Sequence, residues 1–339
     1  MRLSTGIGSL STKARTLFPG FACCLALAMA ATFVSDHYGG PTLLFALLFG
    51  IALHFLSKES VAAAGVAWTA RSVLRFGVAL LGARISIGEI IELGLLPIAL
   101  VVVGVTSTIL FGRYAASAFG LSREQGVLTG GSVAICGASA ALAISAVLPP
   151  GRESERNTLF TIIAVTTFST VAMIVYPLIA EMAALDHQMA GIFIGGTIHD
   201  VAQVVAAGHM ISDETGVIAT FVKLLRVAML VPAVLVIGAV FAEARRAAGG
   251  DAGKGGPALP GFLIAFAALA ALNSTGVIPP AVSAGLSDLS RWCLVTAIAA
   301  LGIKTSLQEM AKLGWRPVAL VALETVWLAA LVLSVLLLV

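Results

Sequence analysis

Two stretches of this chain carry polar groups in almost wholly apolar surroundings. They are Gly130-Gly-Ser-Val-Ala-Ile-Cys-Gly-Ala-Ser-Ala140 and Gly191-Ile-Phe-Ile-Gly-Gly-Thr-Ile-His-Asp-Val-Ala-Gln-Val-Val-Ala-Ala-Gly208. His199, Asp200 and Gln203 are costly inside a bilayer, so they belong on a bundle interior or an aqueous cavity. The pairs Gly130-Gly131 and Gly195-Gly196 let backbones approach closely and can interrupt a helix. An interrupted helix exposes peptide N–H groups and a positive dipole end, which suit an anion. Ser132, Ser139 and Thr197 add hydroxyl groups beside those breaks. The plainer reading is small-residue helix packing, with His199 and Asp200 satisfied by neighbouring helices.

On a continuous helix, His199 and Gln203 fall on one ridge, with Asp200 about 100° further round. Asp200 is a candidate carrier of a coupling proton or sodium ion, or the partner of a cation. His199 is a candidate pH sensor or a structural histidine. Lys223 and Arg226, three apart in the span before Pro232, are candidate anchors for an anionic substrate. Snorkelling to the interface is the alternative for them, and the favoured reading for Arg71 and Arg75. Glu324, inside the last apolar run, is either a partner for a cation or a coupling group.

These residues need a membrane to position them. The chain has 339 residues, 59% hydrophobic and only 11% charged. Its mean hydropathy is +1.04. Soluble domains carry about 25% charged residues, so the composition predicts an all-α polytopic membrane protein. The net charge of +3 carries no basic stripe with interleaved aromatics, and nucleic-acid binding is not supported. Cys23, Cys24, Cys136 and Cys293 form no CxxC pair and imply neither a metal site nor a disulfide framework.

At about 20 residues per span, roughly eleven candidates emerge: 17–35, 41–56, 62–82, 95–112, 127–148, 158–180, 189–210, 216–242, 259–278, 290–305 and 316–338. Pro41 and Pro260 read as helix-start prolines. With the N-terminus inside, the inner loops hold Lys58, Arg113, Arg123, Arg245, Arg246, Lys254, Lys312 and Arg316. The outer loops hold Arg84, Arg152 and Arg156. This Lys/Arg bias predicts a cytoplasmic N-terminus and, with an odd helix count, an external C-terminus. Ala247 to Gly256 reads as a flexible linker.

The chain also repeats. Leu81-Gly-Ala-Arg-Ile-Ser-Ile-Gly-Glu89 aligns with Leu301-Gly-Ile-Lys-Thr-Ser-Leu-Gln-Glu309 at a constant shift of 220. The match continues through Leu93-Gly94 with Leu313-Gly314 and Pro97 with Pro317, and Arg71 falls on Arg291. An odd number of spans separates the copies, so they run in opposite directions. Inverted repeats give two related conformations around one site, the basis of alternating access. The resulting division is a tail (1–16), a first repeat (17–113), central core helices with the Gly-Gly motifs (114–229) and a second, inverted repeat (230–339).

The two glycine-paired motifs, the Lys223-Leu-Leu-Arg226 segment and the Leu80-Leu-Gly-Ala-Arg84 turn together resemble a bacterial sulfate exporter family, long known only as uncharacterised inner-membrane proteins. The resemblance covers nearly everything after residue 16. It implies a fold related to sodium/proton antiporters and bile-acid symporters, with core and panel domains and two crossing interrupted helices. It also implies export of sulfate or a related oxyanion. The expected substrate-binding set is Gly130, Gly131, Ser132, Gly137, Ser139, Gly195, Gly196, Thr197, Gln203, Lys223 and Arg226, with His199 and Asp200 coupling an ion. No cofactor is expected beyond a coupling proton or sodium ion. The expected partners are a small inorganic anion, the lipid bilayer and a second copy in a homodimer. No Walker A motif is present, so the energy comes from gradients. Two rivals stand beside this reading: an intramembrane hydrolase with Ser139 as nucleophile and His199 as base, and an anion channel.

Overall fold

The computed structural model describes residues 4–38, 41–57, 60–84, 94–150, 154–247, 261–305 and 314–339. These residues are helical or in turns, with no strand among them. In chain order the helices are α1 (Ser4–Tyr38), α2 (Thr42–Ala52), α3 (Ala63–Trp68) and α4 (Leu74–Leu81), the last two joined by a π turn at Thr69–Val73. There follow α5 (Leu96–Ala115), α6 (Arg123–Ala134), α7 (Ala138–Ser145) and α8 (Ser154–Met182). Then come α9 (His187–Thr197), α10 (Val201–Ile211), α11 (Asp213–Ala228), α12 (Leu230–Val240) and α13 (Ala242–Ala247). The chain ends with α14 (Gly261–Ser274), α15 (Pro280–Lys304) and α16 (Trp315–Leu336). Lys58, Arg152, Lys254, Pro260, Lys312, most of the 247–256 linker, and the repeat positions 85–93 and 306–313 lie outside the described residues.

Seven helices among the described residues are long and apolar enough to cross a membrane. The chain is a multi-pass membrane protein. Of the eleven expected spans, 41–56 and 259–278 hold only the shorter apolar helices Thr42–Ala52 and Ile264–Ser274, and 127–148 and 189–210 are not among the seven because each folds back on itself. In the first, Gly131 of α6 packs on Ile144 of α7 so closely that a Cβ on Gly131 would collide with Ile144 Cδ1. A straight helix would hold those residues about 20 Å apart. The reversal turns on Gly137, at φ +64° and ψ −122°, a conformation reserved for glycine. In the second, His187 at the start of α9 meets the residues just past the end of α10: Thr215 Oγ1 donates to His187 O at 3.2 Å, and Ser212 Oγ and His187 Nδ1 share a hydrogen bond at 3.2 Å. Gly195 of α9 and Gly208 of α10 both pack on Ala219 of α11. Hydropathy records how many residues are apolar but not which way the chain runs, so two helical hairpins were counted as spans.

The chain forms two compact units, 1–88 with 262–306 and 89–261 with 307–339. Each contains pieces of both sequence repeats. In the first unit, α4 and α15 lie antiparallel: Ser290 Oγ donates to Gly77 O at 2.7 Å and Ser283 Oγ to Ala83 O at 3.0 Å. The glycine contacts there are reciprocal. A Cβ on Gly82 would strike Phe266 O of α14, and one on Gly302 would strike Leu47 O of α2. These are the aligned glycines of the 220-residue repeat, each packed on the other copy's short helix. Arg71 and Arg75 are exposed, and Arg75 lies 5.8 Å from the Phe262 ring centre.

In the second unit, α5 and α16, also matched by the repeat, pack antiparallel. Leu328 lies beside Gly104, Glu324 beside Gly112, and the Phe111 and Trp327 rings stack at 4.8 Å. Both hairpins lean on α8. The first opens beside its N-terminal end, where Ser122, Gln125, Ser145 and Asn157 line one cavity of about 460 Å³. The second follows its C-terminal end. The tips therefore approach each other from opposite directions, meeting near the middle of α8. The span count had made these two segments parallel.

Candidate functional site

The tips are Ile135-Cys136-Gly137 and Ile198-His199-Asp200. They touch: a Cβ on Gly137 would lie 3.8 Å from His199 O, 3.8 Å from Val165 Cγ2 of α8 and 3.9 Å from Asp200 Cβ. The Asp200 N–H donates to Ser169 Oγ, in the middle of α8, at 3.0 Å. Each tip brings together the C-terminal end of one half-helix and the N-terminal end of the next. Four C-terminal carbonyls per helix lack an intrahelical donor, and such a group costs several kcal/mol in the bilayer core.

Lys223 and Arg226, on successive turns of α11, answer that demand. Lys223 Nζ donates to Ile135 O at 2.7 Å and to Ile198 O at 2.8 Å, one carbonyl from each tip. Arg226 Nε donates to Ala134 O at 2.7 Å and Nη2 to Val133 O at 2.8 Å. Its Nη1 donates to Ile198 O at 2.9 Å and Gly195 O at 3.1 Å. The two cations are 0% and 1% exposed. The donors of these two expected substrate anchors clasp the carbonyl ends of α6 and α9 together. A cation at a helix C-terminus also opposes the negative dipole end. Gathered at the junction are two buried cations, the N-termini of α7 and α10, neither capped by a side-chain hydrogen bond, and the Asp200 carboxylate at the N-cap of α10.

The remaining candidates sort by position. Gly130, Gly131, Gly195 and Gly196 lie within α6 and α9 as packing surfaces. Gly130 faces Thr108 O of α5, and Gly195 faces Ala219 O of α11. Ser132 and Thr197 donate to Leu128 O and Phe193 O of their own helices, so toward a ligand they can only accept. Ser139 is exposed at the first turn of α7. It makes no hydrogen bond to His199, whose Nε2 pairs with Thr325 Oγ1 of α16 at 2.8 Å. The expected His199–Gln203 ridge does not form, because α10 begins only after Asp200. Gln203 instead donates to Thr170 Oγ1 of α8 at 3.4 Å.

Thr325 gives its hydrogen to Val321 O at 2.7 Å, and Thr170 gives its own to Thr166 O at 3.0 Å. Both hydroxyls thus act as acceptors, which puts a hydrogen on His199 Nε2 and turns the Gln203 amide nitrogen toward Thr170. His199 Nδ1 and Gln203 Oε1 are left as buried acceptors without a partner. Thr129, Ser169, Thr170 and Thr325 escaped the sequence reading. A lone hydroxyl in an apolar helix most often bonds its own backbone, so its type carries no signal.

The Conserved hypothetical protein 698 family model matches residues 19–321. A UPF0324 membrane protein of Chlorobaculum tepidum is 54% identical over 318 residues, covering 94% of this chain and 88% of the relative. The UPF0324 membrane protein TauZ of Paracoccus pantotrophus is 54% identical over 93% of each chain. A UPF0324 membrane protein of Pseudomonas putida is 35% identical, covering 94% of this chain and 92% of the relative. With the family model spanning both hairpins and the clasp between them, the chain belongs to the conserved hypothetical 698 family of UPF0324 membrane proteins.

Proposed function

We propose that this chain is a secondary transporter that exports a small inorganic oxyanion, sulfate or a related sulfur oxyanion, by alternating access. The observation that carries the reading is the tip-to-tip meeting of two oppositely directed hairpins. Their C-terminal carbonyls are held by Lys223 and Arg226, and the half-helix N-termini of α7 and α10 are left without side-chain caps. Peptide N–H groups there suit a tetrahedral oxyanion, and the buried cations supply positive potential without meeting it. His199 and Asp200, at the second tip, are placed to respond to an ion bound there. The antiparallel packing and reciprocal glycine contacts of the repeat copies support an inverted repeat, hence two conformations of similar energy. The unformed Ser139–His199 pair disfavours the hydrolase.

The hairpin topology also sharpens the membrane orientation. Arg113, Arg123, Arg156, Arg245, Arg246 and Arg316 fall at one end of the second unit; Glu181, Asp186, Asp213 and Glu214 fall at the other. Arg156, counted as external when 127–148 was a span, joins the basic end. By the positive-inside rule that end is cytoplasmic. The inside-negative potential then favours anion export by about 2.3 kcal/mol per charge per 100 mV.

The test is flux in proteoliposomes of the purified chain, comparing sulfate, sulfite, thiosulfate and small carboxylates. Saturable flux of an oxyanion with counterflow supports a carrier. Unsaturable currents without counterflow would make it a channel, and no flux of any of these anions would end the proposal.

A further inference from the structure

Glu324 of α16 is 0% exposed. Its Oε1 accepts a hydrogen bond from Thr129 Oγ1 of α6 at 2.7 Å, and its Oε2 has no partner. Glycines make room for it. A Cβ on Gly112 of α5 would collide with Oε1, and one on Gly130 of α6 would lie 3.5 Å from it. Thr108 Oγ1, one turn from Gly112 on α5, is also buried without a partner. Gly112 thus leaves room for the carboxyl group, Gly130 beside it is closed to a Cβ by Thr108 O of α5, and Oε2 is left unpaired.

Among the described residues no cation hydrogen-bonds this carboxylate. The ionisable groups on the elements packed against α16 are Arg113 on α5 and Tyr114 beside it, Arg123 and Glu124 at the start of α6, Arg156, Tyr176 and Glu181 on α8, and His187 on α9. Glu324 hydrogen-bonds to none of these. His199 is the nearest in the chain of contacts, through the neighbouring Thr325. An ionised carboxylate buried without a counter-charge is strongly disfavoured, so such a group persists by carrying a proton or binding a cation.

Its position gives the proton a consequence. The dipeptide Glu324-Thr325 touches both hairpins: Glu324 holds Thr129, next to Gly130-Gly131 of the first, and Thr325 holds His199 at the tip of the second. Loss of a proton at Glu324 places a negative charge on the bracket between them, and the geometry must change to hydrate or pair it. Building on the transporter reading, we propose that Glu324 is the coupling site, carrying the one proton exchanged per transport cycle, with Thr129 as its hydrogen-bond donor. The binding step moves one proton onto Oε2 and off again to water; no other bond changes.

The experiment uses the full chain in proteoliposomes with radiolabelled sulfate, and sulfite in parallel, at clamped zero voltage. Wild type accumulates anion about tenfold per imposed pH unit, the equilibrium ratio for one proton. Glu324→Gln, which keeps shape and polarity, retains sulfate-for-sulfate counterflow and loses that accumulation. A Glu324→Gln protein that still accumulates anion on a pH gradient overturns the proposal, as does a wild type driven by sodium and indifferent to pH. Counterflow absent from wild type would instead sink the transporter reading. A second measurement needs no transport. The infrared carbonyl stretch of a protonated carboxylic acid is present in wild type at neutral pH and missing from Glu324→Gln; coincident spectra overturn the assignment.

Discussion

Arg226→Lys separates the geometry of the clasp from its charge. Arg226 makes four hydrogen bonds, to the carbonyls of Val133 and Ala134 on one hairpin and Gly195 and Ile198 on the other. The guanidinium reaches them through three nitrogens in a rigid plane, whereas a lysine ammonium is a single point on a flexible four-carbon stem. The substitution keeps the buried charge, so its desolvation cost largely cancels between the two proteins. Ile198 O also keeps its bond from Lys223. At least two of the other three carbonyls lose their donor. Hydrogen bonds to charged groups contribute about 1.5–3 kcal/mol each, so the loss is about 3–6 kcal/mol. That is a large fraction of the roughly 5–15 kcal/mol typical of a folded domain. The assay is equilibrium unfolding in mixed micelles, with amide hydrogen exchange read at residues 133–138 and 195–201. Both tips should exchange faster in Arg226→Lys. Arg75→Lys, an exposed cation in the first unit, should change stability by less than about 0.5 kcal/mol. An Arg226→Lys protein as stable as wild type, with unchanged exchange at both tips, would refute the clasp.

Three further outcomes follow from the same geometry. In a cysteine-free background, Ser117→Cys and Arg156→Cys should label from one side of the membrane and Met182→Cys from the other; labelling of Arg156→Cys from the side opposite Ser117→Cys would restore a straight span at 127–148. Gly195→Ala should be disruptive because its Cβ strikes the Ala219 backbone carbonyl, while Gly196→Ala meets only Val332 Cγ1 at 3.5 Å and should be tolerated; equal melting temperatures for the two variants would contradict that packing. Gly137→Ala should cost about 1–3 kcal/mol from backbone strain alone, measured by unfolding alongside Gly131→Ala, where the flexible Ile144 side chain can give way.

The sequence by itself determined the solvent and the parts. Composition alone required a bilayer, since a chain with this few charges cannot cover a soluble surface. The 220-residue repeat was legible because both copies keep glycine, a basic residue and proline in register at Leu81–Arg84, Pro97 and their counterparts. The Gly-Gly stretches and Lys223 with Arg226 stood out because ionisable groups and paired glycines are rare in apolar runs. Only the tertiary structure decided what these parts touch. Hydropathy cannot distinguish a span from a hairpin of the same length, so the glycine pairs marked an interruption but not that the chain reverses there, which Ile144 on Gly131 and His187 beside Ser212 and Thr215 show. The role of Lys223 and Arg226 was hidden for a related reason. Their partners are backbone carbonyls, which every residue carries and no sequence marks, freed where two helices end and brought within reach by a third.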